Sequence, residues 1–353
     1  MVATIRDVAK LANVSVATVS RYVNGTHKVR GKTADRVKAA IEELGFRPNA
    51  VGRSLSTSTT KSIGMVIPSI SNPVFSEAVS GVTETVRAAG YSLTLTTSSY
   101  DPEGEVEAIS TLLENRVDGV ILTVTNPKTS KALDLLDKSS VPYTMIYNQP
   151  SEGRSTFTVD NVGAGRDVAD ELIRLGHQRL GMISGKFSAS DRADARRVGF
   201  EAGAAAAGLV APVICEVDFD LQDISGVLEK MFQNMEQAPT ALFCSNDILA
   251  ISVIGGLRRM KIDVPGQVSV IGFDGISVGR HMYPTLATVA QPSKEMGRKA
   301  ASHLLSRFSG GQDQETGILP HTFTLGESAG PACKLDPATP QQLTQTLSKR
   351  SPT

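Results

Sequence analysis

A series of polar residues stands directly after short apolar segments of the chain, and these residues have the chemistry to bind a small molecule. Carboxylates accept hydrogen bonds, Asn and Gln side chains donate and accept them, and arginine donates them. Two phenylalanines offer flat apolar walls for a sugar face or a base. The set is Asn72, Phe75, Ser98, Asp160, Asp191, Arg192, Arg196, Phe219, Asn246, Asp274 and Gln291. Together these groups predict a cleft for a ligand that carries many hydroxyl groups.

A second set of residues has the chemistry to contact nucleic acid. The segment "NVSVATVSRYVNG" has the apolar spacing of a helix, but its other positions carry Ser, Thr and small aliphatic side chains where a solvated helix carries Glu, Lys or Gln. Short side chains allow a helix to enter the major groove closely. Thr18 and Ser20 would donate to phosphates, and Val16 and Ala17 would contact thymine methyl groups. Arg21 would reach O6 and N7 of guanine.

Sequence patterns for catalysis or metal binding are absent. There is no Walker loop, H-E-x-x-H or G-x-S-x-G, and the five histidines lack metal-ligand spacing. The three cysteines form no C-x-x-C and are expected to be free thiols. "DNVGAGRDV" resembles a dinucleotide fingerprint, but Val168 stands where the third glycine belongs. We therefore expect no metal, no cofactor and no enzyme, with an NAD-dependent oxidoreductase as the alternative.

The nucleic-acid segment belongs to a predicted helical head. Thr4 caps a first helix and Asp7 follows three residues later, which is close to a capping box. Ser15 caps a second helix after a tight turn, and this pair forms a helix-turn-helix pattern. A third helix has apolar residues at i, i+3, i+4 and i+7 from Val37 and ends at Gly45.

The body of the chain alternates short apolar segments with helical stretches. The segments are "SIGMVIP", "SLTLTTS", "GVILTV", "YTMIY", "FTVD", "LGMISG", "TALFCSN" and "VSVIGFD". Strand–helix alternation predicts parallel sheets with helices on both faces, and eight strands favour two lobes over a single sheet. In such sheets ligands lie at the carboxyl ends of the strands. The polar residues at these ends are therefore expected to face a cleft between the lobes.

Charge is distributed unevenly along the 353 residues. The first 61 residues carry a net charge of +7 and the remainder carries −7. A basic head on an acidic body indicates a polyanionic partner for the head. No apolar run is long enough to span a bilayer, and "MVATIRDVAK" lacks the apolar core of a signal peptide. These features favour the cytoplasm over a solute-binding receptor of the periplasmic type, which is the second alternative.

The segments "TIRDVAKLANVSVATVSRYVNG", "IEELGFRPNAVGRSLST" and "KSIGMVIPSISNPVF" closely resemble the LacI family of bacterial transcription regulators. The resemblance implies a homodimer that binds a pseudo-palindromic double-stranded operator, with a hinge helix whose Leu55 wedges into the central base step. It also implies a two-lobed effector domain of the periplasmic-binding-protein type. The DNA-binding residues expected in all are Thr4, Ser15, Val16, Ala17, Thr18, Ser20, Arg21, Asn24, Asn49, Arg53 and Leu55.

The resemblance and the composition together divide the chain. We expect a helix-turn-helix domain at 1–47, a hinge and linker at 48–60, an effector-binding and dimerisation domain at 61–330, and a disordered tail at 331–353. The first lobe comprises about 61–160 and 290–318, and the second about 161–289 and 319–330. Two residues depart from the family: Gly52 replaces the usual hinge alanine, and Arg30 replaces the Ser that caps the third helix.

The expected effector is a sugar or sugar derivative, with a nucleoside or base as the alternative. Family pockets use positions that match Phe75, Asp160, Arg196, Phe219, Asn246, Asp274 and Gln291. With Asp160 and Asp274 opposite Arg196, a neutral polyol fits better than an anion. An anionic ligand would require Arg192 or Lys186 to turn inward.

Overall fold

A computed structural model describes residues 3–24, 29–46, 59–219, 223–311 and 314–332 of the chain. The expected hinge helix and the tail from residue 333 lie outside these residues. In the described part, no helix is both long and apolar enough to cross a membrane.

The head consists of three helices, α1 (Ile5–Leu11), α2 (Val16–Asn24) and α3 (Lys32–Leu44). The predicted capping box of α1 is present, because the Thr4 side chain accepts from the Asp7 backbone and Asp7 accepts from the Thr4 backbone. α3 begins after Gly31 without a side-chain cap, which is what the Arg30 substitution predicts, and it ends at a left-handed Gly45. The buried apolar residues of the three helices form one small core, made of Val8, Ala9, Ala12, Val19, Val37 and Ala40.

The first lobe is built on a six-stranded, fully parallel sheet. Its strands are β1 (Ser62–Ile67), β2 (Ser92–Thr97), β3 (Gly119–Leu122), β4 (Tyr143–Ile146), β5 (Thr156–Val159) and β11 (Thr316–Leu319), in the order β11-β5-β4-β3-β1-β2. Its helices are α4 (Pro73–Ala88), α5 (Pro102–Glu114), α6 (Lys131–Lys138) and α11 (Ser293–Arg307). The central strands β3, β4 and β5 are buried throughout, as expected for a sheet covered on both faces.

The second lobe repeats this plan. Its strands are β6 (Leu180–Gly185), β7 (Val213–Val217), β8 (Ala241–Cys244), β9 (Ser269–Asp274), β10 (Ala287–Ala290) and β12 (Thr322–Thr324), in the order β12-β10-β9-β8-β6-β7. Only β12 runs antiparallel to its neighbour. The helices are α7 (Asn161–Arg174), α8 (Asp191–Ala206), α9 (Ser225–Met231) and α10 (Asp247–Arg259), with 3-10 turns at Phe187–Ala189 and Ser277–Arg280.

The predicted fold class, a helical head with a two-lobed α/β domain, is confirmed. The chain passes between the two sheets three times, after β5, after β10 and after β11. All eight predicted strands are present, and β7, β10, β11 and β12 are additional. β7, β11 and β12 lie at sheet edges and are only partly buried, so their sequences lack a continuous apolar run.

The second glycine of "DNVGAGRDV", Gly165, serves helix packing. A Cβ atom at Gly165 of α7 would overlap the carbonyl oxygen of Arg196 in α8, and one at Gly199 would overlap that of Val162. α4 and α11 of the first lobe approach equally closely, through Gly81 and Gly297. Close packing of two helices therefore accounts for Gly165, whereas a Cβ at Gly163 would overlap the Asp160 carboxylate that caps α7, so neither glycine requires a dinucleotide.

Candidate effector cleft and DNA-binding face

A cleft of about 360 Å³, including its open mouth, lies between the carboxyl ends of the two sheets. Residues of both lobes line it. The predicted residues among them are Asn72, Phe75, Arg192, Arg196, Phe219, Asn246, Asp274 and Gln291. Sequence reasoning missed Val74, Tyr100, Tyr147, Ser190, Ala193 and Ser245, which also line it. The structure brings these side chains together, and their part in binding an effector remains a prediction.

Asp274, the last residue of β9, is the one carboxylate among the described residues that line the cleft. Its Oδ1 accepts from Gln291 Nε2 at 2.7 Å, and its Oδ2 accepts from Asn72 Nδ2, which belongs to the first lobe, at 3.2 Å. Burial raises the pKa of Asp274 to about 6, while the Arg196 guanidinium opposes that rise. Its φ of 118° is rare for a residue with a Cβ atom. Strained backbone of this kind is often found at functional sites.

Arg196 is held rigidly on α8. Its Nε donates to Asn161 Oδ1 at 2.9 Å, and its Nη1 donates to the backbone oxygen of Ser245 at 2.5 Å. The guanidinium carbon lies 3.4 Å from the centre of the Phe273 ring. Burial lowers the pKa of Arg196 to about 10, and the carboxylate of Asp274 opposes that fall, so the group is charged at neutral pH.

Aromatic rings form one wall of the cleft. Tyr100, which follows β2 in the first lobe, stacks parallel to Phe219 of the second lobe with ring centroids 4.0 Å apart. Phe75 packs edge-on against Tyr147 at 5.4 Å, and the Tyr147 hydroxyl donates to the backbone oxygen of Val74 at 2.9 Å. Tyr100 stands two positions beyond the predicted Ser98. Ser99 and Tyr100 both have positive φ, so the backbone after β2 is irregular. As a result Tyr100, and not Ser98, lines the cleft.

Three predicted residues do not line the cleft. Asp160 is exposed, and its Oδ1 caps α7 by accepting from the Gly163 backbone at 2.8 Å. Ser98 is buried, and its Oγ has no hydrogen-bond partner among the described residues. Asp191 lies behind the lining at the boundary between the lobes. Among the described residues, the lining therefore holds one carboxylate, Asp274, and two guanidiniums, in place of the two carboxylates and one guanidinium expected from sequence.

Asp191 and Arg192 join the two lobes. Asp191 accepts from Asn148 Nδ2 at 2.8 Å and from the Gln149 backbone at 2.7 Å, both in the first lobe. Arg192 Nη1 donates to the Val124 backbone oxygen at 3.0 Å and to Asp191 Oδ1 at 3.2 Å. Burial raises the pKa of Asp191, and the charge of Arg192 opposes this rise. Lys186, the other candidate cation, forms an ion pair with Asp218 at 2.5 Å.

The head presents the predicted small-residue face to solvent. Thr4, Ser15, Val16, Ala17 and Arg21 are exposed, whereas Thr18 and Ser20 are partly buried. Ser15 Oγ accepts from the Thr18 backbone at 3.1 Å, as predicted for the cap of α2. Asn24 ends the helix. The expected hinge residues Asn49, Arg53 and Leu55 lie outside the described residues.

Comparison with known proteins agrees with this architecture. Residues 4–49 match the model of bacterial regulatory proteins of the lacI family, and residues 169–329 match a periplasmic binding protein-like domain. The HTH-type transcriptional repressor PurR of Aliivibrio salmonicida (strain LFI1238) is 35% identical over 309 residues, which are 87% of this chain and 92% of that protein. PurR of Haemophilus influenzae (strain PittEE) is 36% identical over 310 residues, covering 87% and 91%.

Solved structures show the same fold. A LacI-family transcriptional regulator from Silicibacter pomeroyi aligns with a TM-score of 0.79 and 26% identity, covering 93% of this chain and 99% of that one. The lac repressor dimer bound to operator and the anti-inducer ONPF aligns with a TM-score of 0.82 and 24% identity, covering 94% and 100%. With this head, this two-lobed body and these relatives, the chain belongs to the lacI family of bacterial regulatory proteins and is a DNA-binding transcriptional regulator.

Proposed function

We propose that the protein is a repressor that binds a pseudo-palindromic operator as a homodimer, and that a small polyhydroxylated effector in the cleft changes its operator affinity. The structural relative that is a dimer bound to operator supports the dimeric arrangement. A single small head makes too few contacts for high specificity, which also favours two heads on one site. The hinge residues Asn49, Arg53 and Leu55 would contact the minor groove at the centre. The site of action is then the nucleoid, in the cytoplasm.

The observation that carries the effector proposal is the position of Asp274. This carboxylate belongs to the second lobe, yet it accepts a hydrogen bond from Asn72 of the first lobe. A ligand that replaces this contact interacts differently with open and closed arrangements of the lobes. Only such a difference in affinity can shift the equilibrium between two states.

A second candidate ligand, a nucleoside or base, is favoured by the aromatic wall. Tyr100 and Phe219 lie nearly parallel, with an interplanar angle of 3°. A flat heterocycle stacks well on such rings. Two relatives of this chain, at 35% and 36% identity, are named PurR, and such a name is compatible with a ligand of the purine class.

A ligand screen on the full-length protein tests the proposal. We expect a thermal shift with members of a panel of sugars, sugar derivatives, nucleosides and bases, and a change in operator affinity in a gel shift with the best ligand. Asp274→Ala should abolish both responses. If Asp274→Ala kept the normal thermal shift and the normal change in operator affinity, the effector would bind outside this cleft.

A further inference from the structure

The acceptor groups of the cleft are largely occupied by the protein itself. Asp274 uses both carboxylate oxygens for Gln291 and Asn72. Asn246 Oδ1 accepts from the Leu249 backbone at 2.8 Å, and Asn72 Oδ1 accepts from the Val74 backbone at 3.1 Å. A ligand that enters this cleft therefore meets acceptors that already bind protein donors, with one further lone pair left on each carboxylate oxygen of Asp274. This differs from the acceptor-rich site that the sequence predicted.

Donor groups, in contrast, remain available on Arg192. This residue is only 5% exposed and lines the cleft. Its Nη1 is used for Val124 and Asp191. Across the described ranges of the chain, no protein group accepts a hydrogen bond from its Nε or Nη2. An arginine has five N–H donors, so more than half of this fork is left for a ligand.

The Arg192 fork is fixed in place and its charge adds to that of Arg196. Asp191 orients Arg192, and Asn148 and the Gln149 backbone fix Asp191 in turn. A preorganised guanidinium loses little freedom when it binds a planar or tetrahedral anion. Among the described residues, the lining holds two guanidiniums and one carboxylate, Asp274, while Asp191 pairs with Arg192 Nη1 from behind the lining. Anionic oxygens complement such a site better than hydroxyl groups do.

We propose that the effector is an acidic polyol, a sugar carrying a carboxylate or a phosphate, and that the unpaired donors of Arg192 bind its anionic group. This inference rests on the proposed function, in which the cleft holds the effector. It refines the ligand class and assigns to Arg192 the discrimination between an acidic sugar and its neutral counterpart. Arg196, whose Nε and Nη1 are used for Asn161 and Ser245, orients the remainder of the ligand.

Matched ligand pairs test this assignment by calorimetry on the full-length protein. The pairs are hexoses with their uronates, which test a carboxylate, and hexoses with their 6-phosphates, which test a phosphate. We expect the acidic member of at least one pair to bind about tenfold or more tightly than the neutral member, because a hydrogen bond between two charged groups is stronger than one to a neutral hydroxyl group. Higher salt should weaken the acidic ligand more than the neutral one, a readout that needs no variant.

Variants on the same helix separate a specific role from a general charge effect. Arg192→Gln should remove the preference for the acidic ligand, so that the acidic and neutral members of each pair bind with similar affinity, and Arg192→Lys should retain part of the preference. The matched control is Arg197→Gln, because Arg197 pairs with Asp194 and Glu201 outside the cleft lining. This control should leave the preference unchanged.

The outcomes distinguish this inference from the proposed function. Neutral sugars that bind as tightly as acidic ones, with binding lost in Asp274→Ala, would overturn the role of Arg192 and leave the proposed function standing. An acidic preference that survives Arg192→Gln would also overturn that role. Binding of bases and nucleosides alone, or of no member of either panel, would overturn the polyol proposal itself.

Discussion

At the residue scale, we propose that recognition of a base by the head depends on Arg21. It is the cationic side chain on the otherwise small and uncharged face of α2, and it is exposed in the structure. We expect Arg21→Ala to weaken operator binding by about 1–3 kcal/mol per half-site and to relax the preference at one base pair. Quantitative gel shifts with the operator and its single-base variants measure both effects. Unchanged discrimination in this variant would assign base reading to other residues.

The second prediction at this scale concerns Asp247, which lies buried at the start of α10. Its carboxylate accepts from Thr288 Oγ1 at 2.6 Å and from the Ile276 backbone at 2.8 Å. The charged groups that affect it are Asp274 and Arg196. Burial, and secondarily repulsion from Asp274, raises the pKa of Asp247 to about 8. In the unfolded chain the pKa of an aspartate is about 3.9.

The folded protein therefore keeps a proton on Asp247 that the unfolded chain loses. The resulting stability is fully present below about pH 4 and is lost as the pH rises through about 8. We expect the free energy of unfolding to fall over this range, and Asp247→Asn to reduce the fall by on the order of 1 kcal/mol or more. Urea unfolding at several pH values measures this. Parallel curves for the two proteins would show that Asp247 ionises freely in the folded state.

At the scale of elements, the position of α8 determines the position of Arg192 and Arg196. Gly199 allows this helix to touch α7, since a Cβ there would overlap the carbonyl oxygen of Val162. We expect Gly199→Ala to destabilise the fold by about 1–3 kcal/mol through overpacking, and to weaken effector binding because α8 must move. Chemical denaturation and ligand titration measure the two effects.

A second helical glycine provides the control. Gly255 lies inside α10, where an added Cβ meets its nearest atom, on the Arg259 side chain, at an ordinary 3.6 Å. Gly255→Ala should therefore stabilise the protein by up to about 1 kcal/mol, because it restricts the unfolded chain without a clash. Destabilisation of both variants by the same amount would contradict the role given to the α7–α8 contact.

The helices and strands also show how much of the fold and of the cleft could be predicted from the sequence. The cap at Thr4, the termination at Gly45 and the eight apolar strands follow from local chemistry, and all are present. The sequence places Asp160 at the cleft because this residue follows a strand. The same residue also precedes α7, and its carboxylate caps that helix instead of lining the cleft. Tyr100 was missed because its place depends on two residues with positive φ, which no local pattern encoded. Side-chain direction at a strand end depends on tertiary packing.

At the scale of the whole molecule, the two lobes are joined directly through side chains from both sides of the cleft. Asp274 with Asn72, Asp191 with Asn148, Arg192 with Val124, and the stacked Tyr100 and Phe219 all connect the lobes. The residues that line the cleft and the residues that join the lobes are therefore partly the same. A molecule that displaced these contacts would interact differently with different arrangements of the lobes.

Such coupling must be reciprocal in the full-length protein. If the effector changes operator affinity by some factor, saturating operator must change effector affinity by the same factor, since both quantities belong to one thermodynamic cycle. Couplings of this kind are typically about 1–3 kcal/mol, or roughly 5- to 150-fold. Calorimetry of effector binding with and without operator, compared with gel shifts with and without effector, measures both sides at one salt concentration, because operator affinity depends strongly on salt. If the effector altered operator binding while operator left effector binding unchanged, the response could not arise from a shift between two lobe arrangements of an intact dimer, and a change in assembly would have to carry it instead.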